Sequence, residues 1–438
     1  MQTLSGKKLL IIGGAFQHCK VVEAAKELGV ITYVTDYLPL EKAPAKQIAD
    51  KYYMHNITDI DDIVDMCRKE HIDGVISTSL DACQKPYQRV CEELGVPCFG
   101  TKEQFDILTD KKLFKMHCRK SGVDVIPEYS EEDFLTPDVC LEKVSFPILV
   151  KPGESRGSRG QSICYTYEET LKAISFARAE SSNDSVVIEK YMGQANDFSM
   201  TILMINGRAY PIRTVDRYLG SYEDKLDKLA VGSASPSVFT EIYMKNVHDK
   251  VEKLYRDIGL VNAPVFMQGF VDGDTVRFYD PGLRLPGGEY ERMFNAACGK
   301  NPLYPLIEFA LTGRASEDAC GFDKNDVWLQ GKVVGQFLPA LRPGRISRIK
   351  GMDEVKALTE VLAVFERYGV GDVIEPTHNV NQRFCEIDLV CRDNADMKKT
   401  VEKIYSVLKI YDENGNDMVV SKFDTDVFVE RDKSFNLI

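Results

Sequence analysis

The sequence predicts a mixed α/β and α+β protein with two to three domains. Strand and helix patterns alternate through residues 7–99, which is typical of a parallel sheet covered by helices on both faces. Later apolar segments are joined at Asn206-Gly207 and at Asp272-Gly273-Asp274, and such turns indicate antiparallel hairpins. The chain has 438 residues, too many for one ordinary core. We therefore expect a parallel α/β unit followed by antiparallel regions.

The composition narrows the class of protein. It is 44% hydrophobic and 28% charged, as in a soluble globular protein, and the net charge of −12 disfavours nucleic acid or an anionic membrane as a general partner. No apolar run approaches about 18 residues, so we expect no transmembrane helix. The twelve cysteines are scattered singly, as expected for reduced thiols in a cytoplasmic protein, and the six histidines show no zinc-ligand spacing.

The first strand and the turn after it partly match the pattern of a dinucleotide-binding unit. Residues 7–12 form an apolar strand, the glycine turn at Gly13 and Gly14 follows, and a second strand ends at Asp36. The GxGxxG pattern fails, however, because Ala15 and His18 occupy its second and third glycine positions. The evidence for a dinucleotide site is therefore weak.

The most informative stretch is Ser145 to Ile163. An apolar strand over residues 146–150 leads into Lys151, and a loop rich in glycine, serine and arginine follows before a returning strand at residues 162–167. Such a loop can direct backbone N–H groups and cations at phosphate oxygens, although a solvated hairpin turn would have a similar composition. It is not a P-loop, because GxxxxGK[ST] is absent.

Three other segments have patterns that predict their secondary structure. The segment at residues 109–122 predicts a helix that presents Lys111, Lys112 and Lys115, and a solvated helix face is the simplest interpretation of these lysines. Residues 218–235 are polar and predict a mobile loop. A small terminal α+β domain is expected from about Gly331, with a helix over residues 352–368 and pairing of Val373-Ile374 with residues 383–391.

Taken in order, these pieces resemble the ATP-grasp superfamily, which includes biotin carboxylase, carbamoyl-phosphate synthetase and amino-acid ligases. The matching segments are LEKAPAKQIADKYY, HIDGVISTSLDA, TDKKLFK, FPILVKPGESRGSRG, VVIEKYMG, FYDPGLRLPGG and RPGRISRIKG. The resemblance implies an ATP-grasp fold with three domains. They are a Rossmann-like parallel α/β domain at residues 1–108, an ATP-grasp domain at 109–325 with a mobile lid lobe at about 128–192, and a biotin-carboxylase-C-like α+β domain at 326–438.

The resemblance also implies residues for binding ATP. Lys111 and Lys151 match the two phosphate-binding lysines, and Asp197 stands where relatives place a longer glutamate for the ribose. The full set of implied ATP ligands is Lys111, Lys151, Ser155, Arg156, Gly157, Ser158, Arg159, Gly160, Glu189, Lys190, Tyr191 and Asp197.

The implied metal and catalytic residues follow in the second hairpin. Gln268 and Asp280 match ligands of Mg²⁺ or Mn²⁺, but Gly282 replaces the usual asparagine, so the number of ions is open. Arg284 is expected to stabilise transition-state charge or to form a structural salt bridge. The backbone N–H groups of Gly287 and Gly288 are expected to bind a substrate carboxylate. Glu289 and Glu291 are expected to be rim charges, or partners for a substrate amine.

The implied activity is an ATP- and Mg²⁺-dependent carboxylate–amine ligase that acts on small molecules through an acyl phosphate. One alternative is a carboxylase or carbamoyl-phosphate-synthetase-like subunit that activates bicarbonate. Another is a nucleotide-binding module without catalysis, which Gly282 and Asp197 would favour. A dinucleotide oxidoreductase is the weakest alternative. A homodimer is expected by analogy with relatives that share the terminal domain.

Overall fold

The N-terminal unit is a parallel sheet between helices. The computed structural model describes residues 4–152, 160–181, 184–193, 197–219, 229–316, 321–377, 380–420 and 424–436. The four strands pair in the order β3-β2-β1-β4, all parallel, which confirms the predicted α/β unit. The elements of this unit are Lys8–Ile12 (β1), Cys19–Glu27 (α1), Ile31–Thr35 (β2), Pro44–Ile48 (α2), Lys51–Tyr53 (β3), Ile60–Glu70 (α3), Gly74–Ile76 (β4), Asp81–Leu94 (α4) and Lys102–Ile107 (α5).

Helix Lys111–Ser121 (α6) leads into a small lobe with its own sheet. The lobe sheet has the order β5-β8-β6-β7, and all of its pairings are antiparallel. Its elements are Glu128–Tyr129 (β5), Pro137–Lys143 (α7), Ile148–Pro152 (β6), Ser162–Cys164 (β7), Tyr167–Ala179 (α8) and Val186–Lys190 (β8). A separate hydrophobic cluster that includes Ile148, Ile174 and Ile188 supports it. The predicted mobility of this lobe stays a prediction.

An eight-stranded antiparallel sheet forms the centre of the molecule, in the order β13-β12-β9-β10-β11-β14-β19-β17. Its last three strands in this order come from the C-terminal region and are Val333–Phe337 (β14), Cys385–Cys391 (β19) and Val361–Glu366 (β17). Both predicted hairpins lie in it. The elements up to residue 312 are Asp197–Ile205 (β9), Arg208–Leu219 (β10), Ala230–Ser235 (β11), Thr240–Ile242 (α9), His248–Asp257 (α10), Ala263–Asp272 (β12), Thr275–Gly282 (β13), Tyr290–Cys298 (α11) and Leu303–Thr312 (α12).

The C-terminal region continues the same sheet and adds two short two-stranded antiparallel sheets, β15 with β18 and β16 with β20. Its elements are Val333–Phe337 (β14), Gly344–Arg345 (β15), Arg348–Lys350 (β16), Met352–Lys356 (α13), Val361–Glu366 (β17), Val373–Ile374 (β18), Cys385–Cys391 (β19), Asn394–Val407 (α14), Lys409–Tyr411 (β20) and Val427–Asn436 (α15). Short 3₁₀ segments lie at Phe16–His18, Leu40–Lys42, Glu131–Phe134, Lys324–Gly331 and Val380–Gln382, and a π segment lies at Tyr243–Val247.

Three expectations about local structure are wrong. The predicted helix at 352–368 ends after one turn, and its second half is strand β17, because VLAVFE is rich in β-branched and aromatic residues that fit the sheet edge beside β19. Strand β18 pairs with β15 rather than with residues 383–391. In the predicted loop at 218–235, residues 230–235 form β11, whose Val231 and Ala234 are buried.

The main hydrophobic cluster includes residues from more than one predicted domain. One cluster joins Leu10 and Tyr87 of the N-terminal unit to Met267 and Phe278 of the large sheet. A second cluster underlies β14, β19 and α14. The core extends across the limit near residue 108, and the large sheet extends across the limit near residue 325. Both limits stay predictions. Within the described ranges, no helix has the length and apolar character needed to cross a bilayer.

Gly74 tests the packing between β4 and α12. A Cβ added there would lie 2.2 Å from the carbonyl oxygen of Ala310, a backbone atom that cannot rotate away. We expect Gly74→Ala to destabilise the fold by about 3 kcal/mol, the upper end of the cost of overpacking. The control Gly95→Ala has φ +66 and no atom within 4 Å, so it should cost about 1 kcal/mol of backbone strain. Urea unfolding followed by circular dichroism compares them, and equal midpoints would contradict this packing.

Candidate functional site

Helix α6 connects the two sheets of the candidate site. Asp110 caps it, since its Oδ1 accepts hydrogen bonds from the backbone N–H groups of Lys112 at 2.8 Å and Leu113 at 3.0 Å. Lys111 and Lys115 are four residues apart and therefore lie on one helix face. Lys111 Nζ lies 3.0 Å from Asp280 Oδ1 on the large sheet, and Lys115 Nζ donates to the lobe.

Glu189 holds two ammonium groups at the end of lobe strand β8. Its Oε2 accepts from Lys151 Nζ at 2.5 Å, and its Oε1 accepts from Lys115 Nζ at 2.6 Å. Burial opposes ionisation of this carboxyl, but the charges of Lys151 and Lys115 outweigh burial and hold the pKa of Glu189 below its usual value. Lys151 itself is a quarter exposed, so it is held in place and still reachable by a ligand.

The simplest sequence interpretation of Lys115, a solvated helix face, is wrong. The residue is buried, and its Nζ bridges Glu189 and Glu128 Oε1, the latter at 2.7 Å. Arg119, one turn further along, reaches Glu128 Oε2 at 2.8 Å. The four-residue spacing places Lys115 on the same helix face as Lys111, and this was the signal available in the sequence. Its carboxylate partners, Glu128 and Glu189, lie on other elements, which the helical periodicity of this segment does not identify.

Lys190 and Tyr191 have their backbone donors engaged inside the lobe. The N–H of Lys190 donates to Pro127 O at 2.9 Å and that of Tyr191 to Pro147 O at 3.0 Å. Lys190 Nζ donates to Phe146 O at 2.8 Å and so anchors the lobe. If these two residues bind adenine as the resemblance implies, their backbone N–H groups are not available for it. Their carbonyl oxygens would have to accept a hydrogen bond from the exocyclic amine of adenine.

The predicted lid loop is only partly described. Gly160 has φ +70, and a Cβ there would lie 2.7 Å from Pro152 Cγ, so a larger residue would strain the return into β7. The other predicted loop residues, Ser155, Arg156, Gly157, Ser158 and Arg159, lie outside the described residues.

Asp197 lies at the start of β9, and one of its oxygens is already engaged. Oδ2 accepts from Arg217 Nε at 2.8 Å, whereas Oδ1 is buried with no hydrogen-bond partner among the described residues. Arg217 was not recognised from the sequence. The predicted ribose contact of Asp197 stays a prediction, with Oδ1 as the acceptor that remains for it.

Gln268 and Asp280 are direct cross-strand partners in the β12–β13 hairpin. This pairing brings an amide oxygen and a carboxylate together, which are hard oxygen donors of the kind Mg²⁺ accepts, and phosphates and waters normally supply its remaining ligands. The two residues therefore fit one ion.

A Cβ at Gly282 would lie 3.3 Å from Arg284 Cγ, so the glycine leaves this arginine room. In the described part of the chain, no group of three or more His, Cys, Asp or Glu residues could hold a metal.

Arg284 makes a salt bridge to the N-terminal unit. Its Nε donates to Asp81 Oδ1 at 2.5 Å and its Nη2 to Asp81 Oδ2 at 3.0 Å, while Nη1 donates to Leu285 O at 3.0 Å. The guanidinium also lies over the Phe266 ring, 5.2 Å from its centroid. Asp81, at the start of α4, therefore sets the orientation of this arginine.

The turn after Arg284 requires its second glycine. Gly288 has φ +97, and a Cβ there would lie 2.8 Å from Gln336 Nε2. Its carbonyl accepts from Lys20 Nζ at 2.6 Å. Gly287 faces open space, with no atom within 4 Å of an added Cβ, so its backbone is accessible to a ligand.

Glu289 and Glu291 are not rim charges, because both side chains are buried. Glu291 Oε2 accepts from Lys20 Nζ at 2.5 Å, and Glu289 Oε2 accepts from Arg292 Nε at 2.6 Å. Burial nevertheless raises the pKa of Glu289 to about 7. The sequence interpretation failed because the strands that cover these carboxylates lie far along the chain.

The space around Gly13 and Gly14 in the N-terminal unit is occupied by the side chains of Asp36 and His18. Asp36 accepts from the backbone N–H groups of Gly14 and Leu38, each at 2.8 Å. The buried His18 ring fills the space beside Gly13, where an added Cβ would lie 2.3 Å from its Cε1. This filling agrees with the absence of a dinucleotide fingerprint.

Three family models match successive parts of the chain. They describe a PylC-like N-terminal domain at residues 9–83, the ATP-binding domain of the carbamoyl-phosphate synthase L chain at 110–263, and the L-amino acid ligase C-terminal domain 2 at 336–413.

Curated relatives match at low identity. The carbamoyl phosphate synthase large chain of Clostridium botulinum is 26% identical over 210 residues, which cover 44% of this chain and 19% of the relative. The 2-oxoglutarate carboxylase small subunit of Hydrogenobacter thermophilus is 25% identical over 217 residues, 45% of each chain. The chain thus matches less than half of the length of these relatives.

Solved structures share the fold across almost the whole chain. Phosphoribosylglycinamide synthetase from Anaerococcus prevotii has a TM-score of 0.76 at 16% identity, covering 93% of this chain and 100% of that one. L-amino acid ligase from Bacillus licheniformis has a TM-score of 0.71 at 18% identity, with 94% and 100% covered. The biotin carboxylase domain of Hydrogenobacter thermophilus 2-oxoglutarate carboxylase, in complex with MgADP and bicarbonate, has a TM-score of 0.70 at 18% identity, with 98% and 94% covered. These likenesses show a shared fold. The three family models, matched in order along the chain, identify it as an ATP-grasp superfamily protein related to biotin carboxylase and carbamoyl-phosphate synthase.

Proposed function

We propose that this protein is an ATP- and Mg²⁺-dependent carboxylate–amine ligase that forms an amide bond on a small molecule. The observation that carries the proposal is the arrangement of α6 between the two sheets. Through Lys111 it contacts Asp280 on the large sheet, and through Lys115 it contacts Glu189, which also holds Lys151. Cations and carboxylates suited to a nucleotide thus meet where the lobe faces the large sheet.

The proposed role of the lysines is electrostatic. Lys111 and Lys151 neutralise charge on the phosphate oxygens and orient the terminal phosphate, which accounts for most of catalysis in phosphoryl transfer. Asp280 and Gln268 would hold Mg²⁺, which when bound supplies positive charge beside the phosphates. Asp197 Oδ1 accepts a ribose hydroxyl.

Amide formation proceeds in two balanced steps. A carboxylate oxygen of the substrate attacks the terminal phosphorus, and ADP leaves. The amine nitrogen then attacks the acyl carbon, inorganic phosphate leaves, and the nitrogen loses a proton. Arg284, oriented by Asp81, stabilises charge on the transferring group, and the Gly287 N–H orients the carboxylate. Closure of the lobe at about residues 128–192 would exclude water from the acyl phosphate.

The bicarbonate alternative is supported by the curated relatives, which are carbamoyl phosphate synthase and 2-oxoglutarate carboxylase proteins. Against it, residues 336–413 match the L-amino acid ligase C-terminal domain 2, which supports a ligase instead. Against a silent binding module, Lys111, Lys151 and Asp280 are all positioned together. We therefore favour the ligase.

Substitution of Lys151 tests its proposed role in binding the phosphates of the nucleotide. We expect Lys151→Ala to weaken ADP·Mg²⁺ binding by about tenfold to a hundredfold, because a charge-assisted hydrogen bond is worth about 1.5–3 kcal/mol. Isothermal titration measures the affinity, and circular dichroism verifies folding. The matched control is Lys172→Ala, an exposed lysine on α8 of the same lobe, which should bind like the wild type. Unchanged affinity in Lys151→Ala would refute its role.

Phosphate release from ATP and Mg²⁺, measured against pools of carboxylic acids and amines, tests the reaction. We expect release that depends on one acid–amine pair, and hydroxylamine should trap the acyl phosphate as a hydroxamate when the acid alone is present. Asp280→Asn should abolish release because the metal loses its carboxylate, while Asp274→Asn, at the exposed tip of the same hairpin, should not. Release stimulated by bicarbonate alone would replace this proposal with the carboxylase alternative. Absence of release in every pool, with ADP still bound, would favour a silent module.

A further inference from the structure

Arg213 is a buried cation on strand β10 of the large sheet. It is only 8% exposed, and it forms no ion pair with a described residue. A guanidinium keeps its charge in proteins, and charged side chains are rarely buried without a partner. Burial lowers the pKa of Arg213 to about 10, which reflects the same cost. The described part of the chain therefore leaves a buried positive charge without a counterion.

The contacts of Arg213 leave most of its donors available. Its Nη1 lies 3.5 Å from Ser199 Oγ, which is long for a hydrogen bond, and its buried Nε has no hydrogen-bond partner among the described residues. Its guanidinium carbon lies 5.1 Å from the centroid of the Tyr290 ring, and the Tyr290 hydroxyl donates to Ile212 O at 2.9 Å. The fixed ring supports the flat face of the guanidinium, and the N–H edge remains for a ligand.

The charged groups that act on Arg213 from further away do not neutralise it. Glu291 attracts it, but Glu291 Oε2 already accepts from Lys20 Nζ at 2.5 Å. Arg217 repels it while donating through Nε to Asp197 Oδ2 at 2.8 Å. An anion at Arg213 would therefore have to come from a bound ligand.

Two adjacent rows of cross-strand partners run across β10, β9, β12 and β13. One row is Arg213, Thr201, Phe266 and Gly282, and the other is Val215, Ser199, Gln268 and Asp280. Cross-strand partners share a face of a sheet, and so do residues two apart on one strand. Arg213 therefore lies on the face that carries the candidate metal ligands, one row away from them. Met200 and Met267, on the opposite face, belong to the main hydrophobic cluster.

The guanidinium of Arg213 extends toward the metal ligands. Ser199, whose hydroxyl it approaches, is the direct cross-strand partner of Gln268. Adjacent strands lie about 5 Å apart, so the guanidinium reaches the strand next to Gln268. Arg213 is thus directed into the candidate site.

Thr201 lies between Arg213 and the second arginine of the site. Its neighbour on the other side is Phe266, whose ring lies under the Arg284 guanidinium. Thr201 is buried, and its Oγ1 has no hydrogen-bond partner among the described residues. Buried polar groups in native proteins nearly always have a partner. One anion above Thr201 would satisfy this hydroxyl and Arg213, and would also face the positive charge of Arg284.

We propose that Arg213 and Thr201 bind the carboxylate of the acid that this enzyme activates. The inference rests on the proposed ligase function and adds two substrate-binding residues to it. A carboxylate has two acceptor oxygens, which match the N–H edge of a guanidinium and a hydroxyl donor. Above Thr201 it lies one row from Gln268 and Asp280, where the metal and the terminal phosphate are proposed to be held.

A nucleotide phosphate fits Arg213 less well than a carboxylate does. Lys111, which is assigned to the phosphates, contacts Asp280 on β13, the edge strand of the sheet. Arg213 is on β10, with β12 and β9 between the two strands. It is therefore separated from the phosphate end of the site.

Sodium acetate is the probe, at constant ionic strength, and acetamide is the control because it has the same shape without the charge. We expect acetate to raise the unfolding temperature of the full chain in a saturable manner, and acetamide to leave it unchanged. The midpoint concentration for acetate should rise at least about tenfold in Arg213→Met and at least about twofold in Thr201→Val, as expected for loss of a charged and a neutral hydrogen bond.

Thr35→Val is the matched control. Thr35 on β2 is also buried, with a hydroxyl that has no hydrogen-bond partner among the described residues, but it lies in the N-terminal unit. This variant should respond to acetate like the wild type. Equal effects of acetate and acetamide on the wild type, or unchanged midpoints in both Arg213→Met and Thr201→Val, would overturn the proposal.

The stability of the ligand-free variant separates binding from a structural role. We expect Arg213→Met to raise the unfolding temperature without acetate, because it removes a buried charge that has no counterion. A lower unfolding temperature together with an unchanged acetate response would assign Arg213 to the fold and overturn the proposal.

Isothermal titration with Mg²⁺ and the non-hydrolysable β,γ-imido analogue of ATP tests the phosphate alternative. Its affinity should be the same in Arg213→Met as in the wild type. A tenfold loss would assign Arg213 to the terminal phosphate and overturn the proposal. The acetate assay contains neither ATP nor an amine, so its failure is separate from failure of the phosphate-release experiment.

Discussion

The antiparallel pairing of β12 with β13 is the constraint on which the site depends. It places Gln268 opposite Asp280 and Phe266 opposite Gly282, and the chain then turns through Arg284. Cross-strand partners share one face of a sheet, so the register alone brings the candidate metal ligands together. A slip of one residue would move them to opposite faces and would also displace the Gly287–Gly288 turn that follows Arg284.

The site is assembled from separate units by pairs of opposite charge. Lys111 on α6 contacts Asp280 on the large sheet, Lys151 and Lys115 meet at Glu189 in the lobe, and Arg284 is oriented by Asp81 of the N-terminal unit. Each cation that we assign to phosphate chemistry is thus positioned by a carboxylate. Phosphate oxygens would compete with these carboxylates for the same cations, which links nucleotide binding to the arrangement of the units.

Much of this architecture could be predicted from local sequence. Alternation predicted the parallel unit, two turn signals predicted the hairpins, and the family resemblance implied the lobe. The burial of Lys115, Glu289 and Glu291 could not be predicted, because their partners are distant in sequence and helical or turn patterns carry no information about them. The strand at 361–366 was missed for a related reason, since pairing with β19 overrides the local helical pattern.

Hydrogen–deuterium exchange with and without ADP·Mg²⁺ tests the central claim most directly, that nucleotide binds between the lobe and the large sheet. The account predicts slower exchange on binding in the strands Ile148–Pro152, Val186–Lys190 and Thr275–Gly282, with little change in the first glycine turn. Protection concentrated at residues 12–18 and 31–36 instead would place the nucleotide on the N-terminal parallel sheet and would contradict the account.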